Sequence, residues 1–177
     1  MADVGSLSPY DDDGHVRVVV EAPRGARVKL KWDARLGLFV YERTLTLGLA
    51  YPYDWGFVPG TCAADGDPLD AIVLGDAATW PGVVVPSVPV GMIRLVQRAA
   101  GARRTIRNDR VVTAPLDAVS YAGARSLPRR LQRELEEFFV VASKGTAKTV
   151  HVEGFAGPKA ARRTIDAAQA RAERAEH

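Results

Sequence analysis

Residues 28–33 read VKLKWD, apolar and charged side chains in alternation. Successive side chains of a strand point to opposite faces, so Val28, Leu30 and Trp32 belong to one face and Lys29, Lys31 and Asp33 to the other. The stretch reads as a strand with its apolar face turned inward and a lysine face available to line a site. Similar runs recur along the chain: VRVVVEA from Val16, LFVYER from Leu38, DAIVLG from Asp70, VVVPSVPVGMIRLV from Val83, RVVTAPL from Arg110 and TVHVEGF from Thr149. They are short, rich in β-branched residues and punctuated by Gly and Pro, which predicts a small closed or nearly closed barrel.

Helical periodicity enters late. In LPRRLQRELEEFFVV, from Leu127, the residues Leu131, Leu135, Phe138 and Phe139 fall at i, i+4, i+7 and i+8, the apolar stripe of an amphipathic helix. Pro128 sits where a first turn tolerates it. A second helix is expected from about Pro158 to Ala175, Ala-rich and charged, with Arg171 and Arg174 near the end that the helix dipole makes favourable for cations. The fold class is therefore mainly β with flanking helices (α+β), both helices lying in the C-terminal half. With 177 residues the chain suffices for one well-buried core and is short for two, so residues 16–177 are expected to form a single domain. Residues 1–15, with Asp11, Asp12 and Asp13, read as a flexible acidic N-terminal arm.

Composition narrows the function classes. A chain with 47% hydrophobic and 25% charged residues is globular, and no apolar run approaches the roughly 18 residues that span a bilayer, so no membrane partner is expected. The opening MADVGSLSPYDDDG has neither the basic start nor the apolar stretch of a secretion signal, which points to the cytoplasm. Cys62 is the single cysteine, which excludes an intrachain disulfide. Without a Cys or His cluster, any metal must be held by oxygen. The net charge of +3 is modest but uneven, with Arg98, Arg103, Arg104, Arg107 and Arg110 close together, the first four on what reads as an exposed hairpin, residues 98–108. Such a patch serves nucleic acid, an anionic substrate or only a solvated face. No aromatic residues are interleaved to stack on bases, so nucleic-acid binding ranks last.

The chemistry concentrates in DGDPLD, residues 65–70, three aspartates at i, i+2 and i+5. Charges this close repel and need compensation. By itself the hexamer admits two readings: a solvated turn, since Asp-Gly and Asp-Pro are common turn dipeptides, or carboxylates gathered on a hard divalent cation. Its surroundings bear on the choice. YPYDWGFVPGT leads into it, and the buried-looking AIVL leaves directly after Asp70, a position that a solvated turn does not need. With Lys29 and Arg43 available from earlier strands, the acids and cations together argue phosphoryl chemistry, carboxylates holding Mg²⁺ while Arg and Lys grip phosphate.

DGDPLDA, residues 65–71, matches throughout the signature of the soluble family I inorganic pyrophosphatases, and the chain resembles that family from about Val16 to Ile165. The resemblance implies a compact five-stranded, OB-like barrel with flanking helices, homo-oligomeric assembly, and Mg²⁺-dependent hydrolysis of pyrophosphate to two phosphates. It further implies that Asp65 and Asp70 are metal ligands and that Asp67 helps generate the attacking hydroxide. Lys29, Arg43 and Arg110 would grip phosphate, Tyr51 and Trp55 would line the substrate, and Glu21 would act from behind the metal ligands.

The chain also departs from that family. Two further metal-binding aspartates of the family align with Gln97 and Asn108, both uncharged, and Asp109 is the nearest substitute. Neighbouring residues of a strand point to opposite faces, which counts against that substitution. Trp55 stands where the family has a tyrosine, keeping an aromatic wall without its hydroxyl. The family's late Tyr-Lys pair aligns with Ala142 and Ser143, with Lys144 one position beyond as a further candidate for substrate. The alternative these changes raise is a degenerate relative that hydrolyses another phosphoanhydride or only binds a phosphorylated ligand.

Overall fold

A computed structural model describes residue 4, residues 7–118, residue 121 and residues 126–175. The elements are, in chain order, β1 (Val16–Ala22), β2 (Val28–Asp33), β3 (Leu38–Thr44), β4 (Asp54–Val58), β5 (Leu69–Val73), β6 (Val84–Ala99), β7 (Ile106–Arg107), β8 (Arg110–Pro115), α1 (Arg129–Ser143), β9 (Lys148–Ala156) and α2 (Pro158–Ala175). Five strands close on themselves in the order β1-β4-β5-β8-β6 and back to β1. The expected closed arrangement of five strands, with two late helices, is present.

Strand β6 makes the closure. Its first residues pair with β1 (Val84 to Ser87), its middle with β8 (Ser87 to Ile93), and its second half with β9 (Met92 to Ala99) and β7 (Val96 and Gln97). Pairing is antiparallel throughout except for β5 with β8.

Strand β4 is not announced by its sequence, because Gly56 and the prolines around DWGFV read as loop. All five of its residues are buried. A Cβ at Gly56 would lie 1.8 Å from the Val19 carbonyl oxygen, so only glycine lets β4 lie against β1 at this point. Conversely, VKLKWD is a strand but not a stave of the ring. It pairs with β3 in a separate two-stranded sheet, and Val28, Leu30 and Trp32 are only partly covered. A two-stranded ribbon has no second layer of its own to bury an apolar face fully.

Alternation sorts the ring's side chains into two layers. Leu69, Ala71 and Val73 of β5, Val111 of β8 and Met92 of β6 pack with Ala161, Ile165 and Ala168 of α2. Ile72, Val112, Ala114, Ile93 and Leu95 turn the other way and pack with Tyr51, Trp55 and the apolar stripe of α1. The buried residues of α1 are Leu131, Leu135, Phe138 and Phe139, as their spacing requires.

Residues 1–3 and 5–6 of the N-terminal arm lie outside the described residues. Nearer β1, the Arg17 amide donates to the Pro9 carbonyl at 2.9 Å and the Tyr10 hydroxyl donates to Asp166 Oδ1 at 2.5 Å. Among the described residues, no helix is long and apolar enough to cross a membrane.

Candidate active site

Asp70 is the second residue of β5, so the alternation that sends Leu69 and Ala71 toward α2 sends Asp70 the other way, onto the face of Ile72. Strand β8 runs parallel to β5 and begins at Arg110, on the face it shares with Val112. The two side chains meet: Arg110 Nη1 lies 2.7 Å from Asp70 Oδ2. The same nitrogen donates to the Asn108 carbonyl at 2.7 Å and to the Asn108 side-chain oxygen. Arg110 Nε is buried and has no partner among the described residues.

Asp65 and Asp67 lie on the turn just before β5. Gly66 takes φ +88°, a backbone region that suits glycine, and the Ala63 amide donates to the Asp67 carbonyl at 2.7 Å to close the turn. Each aspartate has its own compensating neighbour. Lys31 Nζ sits 2.9 Å from Asp67 Oδ1, and the Gln97 amide donates to Asp65 Oδ2 at 3.3 Å. The ligand atoms of the three acids are not drawn together. Among the described residues, the group of three lying within 4.8 Å of one another is Asp11, Asp13 and His15.

Behind the turn, Glu21 of β1 accepts the Trp32 backbone N–H at 2.8 Å. Lys29 pairs with Glu42 at 2.8 Å, and Arg43 Nη2 donates to the Ala142 carbonyl at 3.3 Å. Tyr51 and Trp55 are buried in one aromatic cluster, 5.5 Å between ring centroids, with Phe138 against both. Trp55 is thus part of the core wall more than an open substrate surface. Lys144 follows the last turn of α1 with its side chain exposed, its carbonyl accepting from Thr46 at 3.5 Å. Nothing among the described residues ties its ammonium to the aspartates.

Asp109 departs from its expected place as a metal ligand. Its carboxylate receives Arg107 Nε at 2.8 Å and the Leu95 amide at 3.2 Å, and with Leu69 and Met92 it lines a cavity on the α2 side of the sheet. Its two neighbours go the other way: Arg110 pairs with Asp70, and Asn108 accepts from Arg110, the alternation of an extended chain leading into β8. Sequence reasoning in turn missed Lys31 as a contact of Asp67. The signal was its i+2 spacing from Lys29 in VKLKWD.

The electrostatics are those of acids held too close. Burial pushes the Asp70 carboxyl above its ordinary range, Arg110 and Lys29 pull it down, and Asp65 and Asp67 push it up again. Burial pushes Glu21 up to about 7; the Trp32 amide lowers it, Asp70 raises it, and Lys29 and Lys31 lower it. A carboxyl whose folded pKa is raised binds more protons native than unfolded, so its contribution to stability falls as pH rises from the ordinary carboxyl value of 4.5 to about 7. The full effect is on the order of 3 kcal/mol. Glu21→Gln keeps an acceptor for the Trp32 amide. In metal-free buffer it should leave stability near pH 4.5 unchanged and raise it above pH 7, as read by chemical denaturation at both pH values. Equal stability of the two proteins at high pH would show that Glu21 ionises there without penalty.

The residues present fit a divalent cation. All donors on the turn are carboxylate oxygens, the set a hard cation takes, and the raised Asp70 and Glu21 are acids that gain most from added positive charge.

Residues 18–173 match the family model described as inorganic pyrophosphatase. The chain is 36% identical to the inorganic pyrophosphatase of Thermus thermophilus, the match covering 97% of this chain and 98% of that protein. It is also 36% identical to that of Gluconobacter oxydans over 77% of this chain and 79% of the relative. Among solved structures, the Thermus thermophilus enzyme superposes with a TM-score of 0.86 at 30% identity, covering 97% of this chain and 99% of that one. The Helicobacter pylori pyrophosphatase superposes at 0.83 and 26% identity, covering 94% and 98%.

Proposed function

The chain belongs to the inorganic pyrophosphatase family, and from that we propose that it hydrolyses inorganic pyrophosphate to two phosphates with Mg²⁺ as its cation. The observation that carries the proposal is the mouth of β5, where Lys31 pairs with Asp67, Arg110 with Asp70, and Asp65 accepts from Gln97. The Thermus thermophilus and Gluconobacter oxydans relatives are both named inorganic pyrophosphatases, which favours pyrophosphate over another phosphoanhydride. A single cysteine suits the reducing cytoplasm, our proposed location. Residues 16–177 are proposed as the one catalytic domain. Homo-oligomeric assembly is part of the proposal, supported by Leu36, Leu38, Tyr41 and Leu47 exposed on and after the β2–β3 hairpin.

In this reading Asp65 and Asp70 hold Mg²⁺, with Glu21 behind them. A cation bound there neutralises the acids, screens the phosphate charge and makes water more acidic. Asp67 is the base that takes a proton from the attacking water; it sits on the exposed side of the turn, with Lys31 Nζ 2.9 Å from its Oδ1. Arg110 adds positive charge at the mouth of β5 while its Nη1 holds Asp70. Lys29 and Arg43 supply further positive charge for the leaving phosphate. Tyr51 and Trp55 form the apolar wall behind the site, and Lys144 is kept as an outer contact for substrate. In-line attack then depends mainly on positioning and charge.

The reading is tested by comparing phosphate release from pyrophosphate, tripolyphosphate and a nucleoside triphosphate by the purified chain. Preference for pyrophosphate is the expected result, and preference for either of the others would move the substrate elsewhere. Gln97 gives a second handle. Its amide holds Asp65 without adding charge, so Gln97→Asp adds a carboxylate beside Asp65. Mg²⁺ affinity, read from the thermal shift on titration, should tighten by roughly tenfold. Unchanged affinity would mean that position 97 contributes nothing to metal binding.

A further inference from the structure

The ring's other face carries a basic cavity, of about 520 Å³, between α2, β6 and the start of the turn that holds the aspartates. Parity separates it from the candidate active site: Asp109 and Met92 face it, whereas Arg110 and Asp70 face the opposite side of the same sheet. Its size lies within the roughly 300–1,000 Å³ typical of small-molecule sites.

Its chemistry is specific. Arg94, Arg107, Arg163 and Arg171 line it, coming from β6, β7 and two turns of α2, against the one lining acid, Asp109. Asp109 is engaged by Arg107, which also lies 3.8 Å from Glu153. Arg171 donates to the Cys62 carbonyl at 2.5 Å. The Arg94 and Arg163 side chains make neither a hydrogen bond nor an ion pair with any described residue, and both are exposed at the rim. Guanidinium groups lining one cavity in excess over carboxylate suit a phosphoryl group, which they grip in bidentate forks. Ala64, Ala160 and Ala167, all at least partly exposed, give the cavity an apolar wall that inorganic phosphate alone would leave unused. An organic body attached to the phosphate would cover it.

We infer that this cavity binds a phosphorylated organic molecule, a nucleotide or a sugar phosphate, separately from the site that binds pyrophosphate. Arg94 and Arg163 grip its phosphate and the wall of Ala64, Ala160 and Ala167 receives its organic part. An occupant lies against Ala63, Ala64 and Leu69, the chain neighbours of Asp65 and Asp70.

The test is isothermal titration of the full chain, in chelator, with ATP, AMP, glucose 6-phosphate and inorganic phosphate in turn. The expected result is one equivalent of ATP, AMP or glucose 6-phosphate bound, with inorganic phosphate at least about tenfold weaker. Arg94→Glu/Arg163→Glu should weaken that binding by at least about tenfold and leave pyrophosphate hydrolysis unchanged, whereas Lys29→Gln should leave the binding intact. Should the charge reversal perturb folding, as seen by circular dichroism, Arg94→Gln/Arg163→Gln carries the same expectation. No binding of any organic phosphate at millimolar concentration would overturn the inference. So would affinity that survives both double substitutions, affinity lost in Lys29→Gln, or inorganic phosphate binding as tightly as the organic phosphates.

Discussion

Asp67→Asn is expected to lower the turnover of pyrophosphate by about 10²–10⁴-fold, the range a positioned general base supplies. The substitution keeps size and shape and removes only the capacity to accept a proton as a carboxylate. Its structural cost is small. Asp67 and Lys31 are about half exposed, 58% and 49% for the side chains, and an ion pair so placed is worth at most about 1 kcal/mol. The backbone contact that closes the turn runs through the Asp67 carbonyl and is untouched. Stability should therefore stay near wild type while kcat falls, with KM altered far less. Full activity in a folded Asp67→Asn protein would take this residue out of the mechanism.

Arg110→Met should be the most destabilising single change at the site. The Arg110 side chain is only 12% exposed, and it is the nearest cation to an acid that burial already pushes toward its neutral form. Removing one partner of such a pair leaves the other charge uncompensated, at a cost of about 3–5 kcal/mol. The Asn108 oxygens lose their donor as well. Denaturation in urea reads the loss, and pyrophosphate hydrolysis should fall with it. Pairing the change with Asp70→Asn separates the two effects: the double variant should recover much of the stability and none of the activity. A single variant as stable as wild type would mean that Asp70 is protonated in the folded protein and does not need Arg110.

Most of the ring and both helices were legible because their periodicities are pure. LPRRLQRELEEFFVV marks the stripe of α1 residue by residue, and the β-branched runs mark seven of the strands. What escaped depends on neighbours distant in sequence. DWGFV carries a glycine that reads as loop until Val19 is seen against it. VKLKWD alternates as a ring strand would, yet alternation cannot say how many layers will cover it. At the site, DGDPLD announced acid chemistry, and parity alone warned against Asp109. The partners of the aspartates came only with the fold: Lys31 for Asp67 and Gln97 for Asp65 lie 36 and 32 residues away.

The central claim is that the DGDPLD turn, despite uncharged residues at positions 97 and 108, holds a cation and hydrolyses pyrophosphate. It is tested most directly by phosphate release from pyrophosphate across a Mg²⁺ titration, begun in chelator, with the purified and demonstrably folded chain. Release absent in chelator, rising with Mg²⁺ to saturation and yielding two phosphates per pyrophosphate, is the predicted result. Silence at every Mg²⁺ concentration, or release that chelator does not abolish, would contradict it.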